Sequence, residues 1–230
     1  MNDIILDKIR FEPDLSLEFK RLHIMEGSQD ATDFKYLFKE AQDIANPKAM
    51  YRLAYIDTRD ETQVIIDGVT LSSRVLRINL DTSQHVFPFL GTCGIEGEDW
   101  AKSIKDVFIG YWAEAIKEMA LVAALTELES HLTKTFHPGH VSTMSPGSLE
   151  DWPISEQVPL FNILGNTKHK IGVQLTDSYL MVPTKSVSGI RFQLNGSFES
   201  CQLCPRVNCP NRRAPYDETL YENKYCPKMN

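Results

Sequence analysis

The chain has 230 residues, of which 42% are hydrophobic and 10% aromatic, and this composition excludes an intrinsically disordered protein. It carries 24 Lys and Arg against 31 Asp and Glu, and the formal net charge of −7 argues against nucleic acid as the main partner. No apolar run approaches the roughly 20 residues that cross a bilayer, and the opening residues lack the apolar region of a secretory signal. We therefore expect no nucleic-acid partner, no membrane partner and a cytoplasmic location.

The first part of the chain predicts a helix followed by an antiparallel meander. Apolar residues recur at helical spacing over 34–49, and Asn46-Pro47 ends the helix. Strand-like runs follow at 50–55, 63–68 and 69–80, and an Asp-Gly turn signal closes the second of them. The connections between them are too short for helical crossovers, so we expect antiparallel pairing.

The longest helical pattern covers 100–135, after a predicted turn at 91–94. Glu98 and Asp99 are expected as acids at the helix start, where they complement the helix dipole. Gly110 marks a candidate bend. The stretch 113–125 is apolar enough to form the core against which the sheet packs.

A loop rich in Pro, Gly and Ser is expected over 138–153, followed by a short helix over 154–164. Further strands are predicted over 171–175, 178–182 and 186–192.

Two blocks of residues in this second half carry a resemblance to a known family. The first block is Ser145-Pro146-Gly147, Asp151-Trp152-Pro153, Glu156-Gln157, Leu160-Phe161 and Leu164. The second block is Leu175-Thr176-Asp177-Ser178, Met181-Val182-Pro183 and Ser186-Val187-Ser188-Gly189. With the upstream Thr92-Cys93-Gly94, they resemble the activation domain of vitamin B12-dependent methionine synthase and the free-standing proteins related to it, over about residues 35–192.

The resemblance implies an α+β fold in which helices pack around a bent antiparallel sheet, here over residues 1–196. In that family the domain binds S-adenosylmethionine and caps the corrinoid, and it allows inactive cob(II)alamin to be reduced and remethylated. Cobalamin and S-adenosylmethionine are therefore the implied cofactors. A corrinoid protein or the methionine synthase core is the implied partner.

The chain departs from the family at the loop that binds the methyl donor. The family has Arg where this chain has Thr143, and Tyr where it has Ser148. Losing Arg removes a bidentate clamp on a carboxylate, so the implied site is weakened. Its candidate residues are Thr143, Ser145, Gly147, Ser148 and Arg191. Arg191 either supplies the missing positive charge from another strand or is an edge-strand Arg in solvent.

Four of the five cysteines lie in the last thirty residues, at Cys201, Cys204, Cys209 and Cys226. Four thiolates suit an iron–sulfur cluster, for which [4Fe–4S] is the first choice, or a tetrahedral zinc ion. Free thiols or disulfides are the remaining alternatives. We therefore predict a metal-binding extension over 197–230. Cys93, far upstream, is expected as a small buried residue, with a reactive thiol or a ligand as the other interpretation.

These features predict an accessory protein of corrinoid-dependent methyl transfer, acting in reductive activation or in corrinoid binding. An iron–sulfur cluster in the tail would carry electrons from a donor protein. The alternative is a binding module without redox activity that docks on a corrinoid protein or on the methionine synthase core, with zinc in the tail. An independent methyltransferase is less favoured, because no Gly-rich loop follows a strand, and no catalytic residue is identified.

Overall fold

An eight-stranded antiparallel sheet forms the centre of the computed structural model, which describes residues 3–194 and 198–226. Its strands are β1 (Ile4–Leu6), β2 (Lys48–Tyr51), β3 (Ala54–Arg59), β4 (Gln63–Ile66), β5 (Val69–Ser72), β6 (His85–Thr92), β7 (Val141–Met144) and β10 (Ser186–Gln193). A separate two-stranded hairpin contains β8 (Gln174–Leu175) and β9 (Met181–Val182).

Seven α-helices surround the sheet in the described residues. They are α1 (Leu15–Arg21), α2 (Gln29–Ile44), α3 (Arg74–Asn79), α4 (Ile95–Ser103), α5 (Val107–Phe136), α6 (Gln157–Leu164) and α7 (Thr167–Ile171). Single helical turns cover Ile154–Glu156, Ser200–Leu203 and Tyr221–Tyr225. Within the described ranges, no helix is both long enough and apolar enough to span a membrane.

The central strand is β6, which pairs with β10 along one side and with β2 and β3 along the other. Strand β10 in turn pairs with β7, and β3, β4 and β5 form a meander. All pairs are antiparallel, and the sheet is curled. The predicted α+β fold with a bent antiparallel sheet is therefore confirmed.

The long helix α5 covers one face of the sheet. Ala124, Leu128 and Leu132 pack against buried aromatic residues of β2 and β6. Gly91 lies in β6 rather than in the predicted turn. A Cβ at that position would lie 2.7 Å from Leu125 Cδ2, so glycine allows α5 to pack closely on the strand. The stretch 113–125 is largely buried as predicted, but only its end, with Ala124 and Leu125, packs on the sheet, whereas Ala113, Ile116 and Ala120 pack against α1, α2 and α4.

The other face of the sheet is covered by α3, α6 and α7 together with the C-terminal segment. Trp152, Phe198 and Tyr225 are buried in this one hydrophobic core. The described part of the predicted extension thus packs on the sheet. The boundary expected at residues 196 and 197 lies outside the described residues.

Two predicted strands differ from the structure. The run over 69–80 is a strand only as far as Ser72; Ser73 then begins helix α3, since its side chain accepts the Leu76 N–H at 3.0 Å. This helix cap determines the local structure even though apolar and polar residues alternate over 69–80 as they do in a strand. The run over 50–55 is divided between β2 and β3, whereas the strand at Gln63–Ile66 and its Asp-Gly turn are confirmed.

The predicted helices over 34–49 and 100–135 also have different bounds. The first begins at Gln29, after the cap provided by Ser28, and residues 48–51 form β2. The second is two helices, because Asp106 caps a new helix through the Ile109 N–H. The break lies before Asp106, and Gly110 lies inside α5.

In the second half of the chain, the helix over 154–164 and the strand over 186–192 are confirmed. The predicted loop over 138–153 contains β7. The strands predicted over 171–175 and 178–182 are only the two-residue strands β8 and β9, because α7 extends to Ile171 and residues 176–180 form the turn of the hairpin.

Candidate functional site

A closed turn joins β7 to α6 and contains the predicted binding residues Gly147 and Ser148. The Gly147 N–H donates to the Trp152 carbonyl at 2.7 Å, and the N–H and hydroxyl of Ser148 donate to the Ser145 carbonyl at 3.1 and 2.6 Å. Gly147 has a φ of 82°, and a Cβ there would lie 2.8 Å from Ile154 Cδ1. The turn therefore requires glycine at this position.

Arg191 and Thr143 are directly opposite each other in the β10–β7 pair. Side chains of opposed residues lie on the same face of a sheet. The Arg191 guanidinium lies 5.2 Å from the centre of the Phe89 ring, and its Nη1 lies 3.6 Å from Glu129 Oε2 of α5. Its Nε is buried without a hydrogen-bond partner within the described residues. Burial lowers the pKa of Arg191, with the Glu129 charge opposing the shift. Arg191 is thus half-buried under α5, and the solvent-exposed alternative is wrong.

Ser145 lies against Gly189 of β10 on the same side of the sheet. A Cβ on Gly189 would lie 2.7 Å from Ser145 Oγ, so glycine lets β7 and its turn approach β10 closely. The structure therefore brings Thr143, Ser145 and Arg191 together on the face that α5 covers.

Ser148 lines a different feature, a cleft of about 540 Å³ between the turn and the C-terminal segment. The lining residues are Val75, Ser148, Leu149, Glu150, Asp151, Leu203, Cys204, Pro205, Tyr216, Asp217, Glu218 and Tyr221. The cleft was not predicted, because its two sides are far apart in sequence and neither side contains a motif that indicates pairing with the other.

Two of the acids in the cleft hold its walls in place. Asp151 accepts hydrogen bonds from the Ser73 hydroxyl and, at 3.0 Å, from the Val75 N–H at the start of α3. Asp217 accepts hydrogen bonds from the N–H groups of Thr219 and Leu220 at 3.0 and 3.1 Å. These carboxylates are used structurally, whereas Glu150 and Glu218 are exposed.

Three of the tail cysteines lie on one loop organised by Arg212. The Arg212 guanidinium donates to the carbonyls of Cys201 and Cys204 at 2.9 and 3.0 Å, and the backbone N–H of Arg212 donates to the Cys209 carbonyl at 3.2 Å. The backbone N–H of Arg213 donates to the Cys201 sulfur at 3.5 Å, and this hydrogen bond is the main reason that the pKa of Cys201 is lowered.

Cys226 lies apart, after the turn Tyr221–Tyr225, and its side chain is exposed. Among residues 3–194 and 198–226, no group of three or more His, Cys, Asp or Glu side chains is arranged to hold a metal ion. The four tail thiols therefore do not form a ready coordination site as the structure places them. The fifth thiol, Cys93, is fully buried, and burial raises its pKa to about 12, which agrees with a small core residue.

The match to known proteins falls on the turn and on β10. The family model described as "Vitamin B12 dependent methionine synthase, activation domain" matches residues 147–199. The predicted resemblance to this family is confirmed. Within the match lie Gly147, Ser148 and Arg191, whereas Thr143 and all four tail cysteines lie outside it.

A solved structure gives the same fold. The crystal structure of the MetH reactivation domain bound to AdoHcy matches with a TM-score of 0.66 at 16% sequence identity, covering 86% of this chain and 80% of that chain. Among curated protein sequences, none matches the chain.

Proposed function

We propose that this protein is an accessory factor of corrinoid-dependent methyl transfer, acting in the reductive activation of cob(II)alamin or in corrinoid binding. The observation that carries the proposal is the match of residues 147–199 to the activation domain of B12-dependent methionine synthase. The proposed partner is a corrinoid protein or the methionine synthase core, with an electron donor as a further partner. The matched MetH domain is bound to AdoHcy, so S-adenosyl compounds are the proposed small-molecule ligands.

The proposed ligand site comprises Thr143, Ser145, Gly147, Ser148 and Arg191. Arg191 takes over the role of the Arg that Thr143 replaces. Three observations support this role. Arg191 lies directly opposite Thr143, its guanidinium packs on the Phe89 ring, and its Nε has no hydrogen-bond partner among the described residues. A guanidinium presents several N–H donors to a carboxylate, so it can hold the methionine end of the ligand.

The experiment that tests this function follows the corrinoid spectrum. A corrinoid protein in the cob(II)alamin state is mixed with a low-potential reductant and S-adenosylmethionine, with and without the full chain. We expect formation of methylcob(III)alamin and S-adenosylhomocysteine, one of each per methyl group transferred, only when the chain is present. The same slow conversion with and without the chain would contradict reactivation, and a changed cob(II)alamin spectrum without methylation would favour corrinoid binding alone.

Two neighbouring variants then test the ligand site. Arg191→Gln removes hydrogen bonds to a charged group, which contribute about 1.5–3 kcal/mol, so the S-adenosylmethionine concentration for half-maximal conversion should rise about 10- to 150-fold. Glu129→Gln is the matched control, because it removes only the carboxylate that competes for Arg191. Equal losses in the two variants would show that their ion pair is structural only.

For the tail we propose that Cys201, Cys204, Cys209 and Cys226 bind an iron–sulfur cluster, with structural zinc as the alternative. The four thiols, the loop held by Arg212 and the lowered pKa of Cys201 support metal binding, since thiolates are the ligands. Cys226 lies on a separate turn, so binding by all four requires the loop or the turn to move. A bound cluster supplies a one-electron carrier with a potential as low as about −700 mV.

Anaerobic metal analysis tests the tail directly. We expect iron and sulfide in the purified protein together with the broad visible absorption of a cluster. Cys201→Ser should abolish both, and Cys93→Ala, which alters a buried thiol outside the tail, should leave both unchanged. Stoichiometric zinc without sulfide would favour the non-redox binding module. Absence of any bound metal would overturn both versions.

A further inference from the structure

The cleft beside the turn has the size and floor of a small-molecule site. Its volume of about 540 Å³ lies within the range of about 300–1,000 Å³ common for such sites. Val75 and Leu149 are buried at its base, and Leu203 adds apolar surface. Tyr216 and Tyr221 line it with partly exposed rings. An organic molecule with an apolar body therefore fits this floor better than a bare metal ion does.

The charge in the cleft is of one sign. Its lining includes Glu150, Asp151, Asp217 and Glu218 but no Lys, Arg or His. In the described part of the chain neither Glu150 nor Glu218 forms an ion pair. These two exposed carboxylates are therefore free to attract a cation to the rim of the cleft.

Tyr221 lies beside one of these acids inside the cleft, since its hydroxyl lies 3.5 Å from Asp151 Oδ1. Arg74 donates to the Tyr225 carbonyl at 3.4 Å and does not line the cleft. The cleft thus combines aromatic faces with an excess of negative charge, and both features attract cations.

Only one side of this cleft belongs to the matched family region. Ser148 to Asp151 lie within residues 147–199, whereas Leu203 to Tyr221 lie beyond them. The cleft shares Ser148 with the S-adenosyl site proposed above, whose residues Thr143, Ser145 and Arg191 lie on the face that α5 covers, and it shares Cys204 with the proposed metal site.

We propose that this cleft binds a small organic cation with an aromatic or apolar body, such as an amine. The body packs on Leu149 and on the rings of Tyr216 and Tyr221, and the cationic group lies toward Glu150 and Glu218. Cation–π attraction and two exposed carboxylates supply the charge selectivity.

A pair of probes with the same body and opposite charges tests the proposal. Tryptamine and indole-3-propionate are titrated into the full chain by calorimetry, and amide resonances are followed by NMR. We expect tryptamine to bind at least about tenfold more tightly, because the anion meets four carboxylates, and shifts should concentrate at 148–151 and 203–221. Equal affinity for the two probes, shifts elsewhere or no binding of tryptamine would overturn the proposal.

Two double variants that change the net charge of the protein equally separate the effect of the cleft carboxylates from the effect of net charge. The double variant Glu150→Gln/Glu218→Gln should weaken tryptamine binding about two- to thirtyfold, since each exposed ion pair contributes about 0.2–1 kcal/mol. The double variant Glu61→Gln/Glu127→Gln changes net charge equally at exposed positions outside the cleft and should leave binding unchanged. Equal weakening by both would show a nonspecific charge effect. The corrinoid assay does not measure binding of an amine, so a failure of the tryptamine titration leaves the proposed function standing.

Discussion

Lys117→Met is expected to destabilise the fold by about 3 kcal/mol, the lower end of the range for breaking a buried ion pair, because the buried Glu98 carboxylate then keeps only the exposed Lys102 as a cation, whose Nζ lies 3.3 Å from Oε1. Lys117 of α5 and Glu98 of α4 have side chains only 3% and 2% exposed, and Nζ lies 2.9 Å from Oε2. The same oxygen accepts the Thr184 hydroxyl at 2.9 Å. The pair therefore joins α4, α5 and the segment before β10. Urea unfolding at neutral pH measures the loss.

Two comparisons isolate the buried pair. Adding Glu98→Gln to Lys117→Met should restore part of the lost stability, since no unpaired charge then remains inside. Lys39→Met breaks an i,i+4 pair whose side chains are both 67% exposed, and it should cost less than about 0.5 kcal/mol. A cost for Lys117→Met as small as that for Lys39→Met would contradict the buried geometry.

The same pair determines how stability depends on acid. Burial alone would raise the pKa of Glu98, but hydrogen bonds from Lys117 and Thr184 and the ammonium charge outweigh it and lower the pKa from 4.5 to about 2. A carboxyl with a lower pKa in the folded state stabilises that state above its unfolded pKa. This contribution is lost as the pH falls from about 4.5 to about 2. In Lys117→Met, stability should fall less steeply over that interval.

Glu98 also shows which features of a residue can be predicted from the sequence and which cannot. An acid in the first turn of a helix was predicted from the charge pattern, and α4 does begin at Ile95. Its burial against Lys117 could not be predicted, because the two residues lie on different helices and no local pattern relates them. The split between α4 and α5 depends on Asp106, whose capping role competes with a continuous apolar pattern.

The candidate site, too, was predicted only in part. Short blocks such as Ser145-Pro146-Gly147 identified the turn, because its hydrogen bonds are local and glycine at 147 is required by its backbone. Arg191 was named as a candidate but with a solvent-exposed alternative, since its position opposite Thr143 depends on strand register. The cleft was missed because Glu150 and Tyr216 become neighbours only when the C-terminal segment folds back onto the sheet.

Tyr225→Ala should release this segment and cost about 3–5 kcal/mol, the range for truncating a large buried aromatic side chain. The ring is fully buried in the core beside Phe198, and the hydroxyl donates to Asn79 Oδ1 at 3.0 Å. Tyr225→Phe keeps the ring and should cost only about 0.5–1.5 kcal/mol, the contribution of one hydrogen bond. Asn79 Oδ1 then still accepts from Lys224 Nζ at 2.9 Å.

Tyr221 supplies the matched control, since it lies one turn earlier in the same segment and is 38% exposed. Tyr221→Ala should cost only about 1 kcal/mol, because the ring is partly exposed and packs 6.0 Å from the Tyr225 ring, and limited proteolysis should cut the tail rapidly only in Tyr225→Ala. Equal behaviour of the two variants would mean that the segment is not held by its buried ring. Because Cys226 directly follows Tyr225, this anchor also fixes where the fourth thiol can move. Loss of bound metal in Tyr225→Ala but not in Tyr225→Phe would therefore connect the packing of the tail to metal binding.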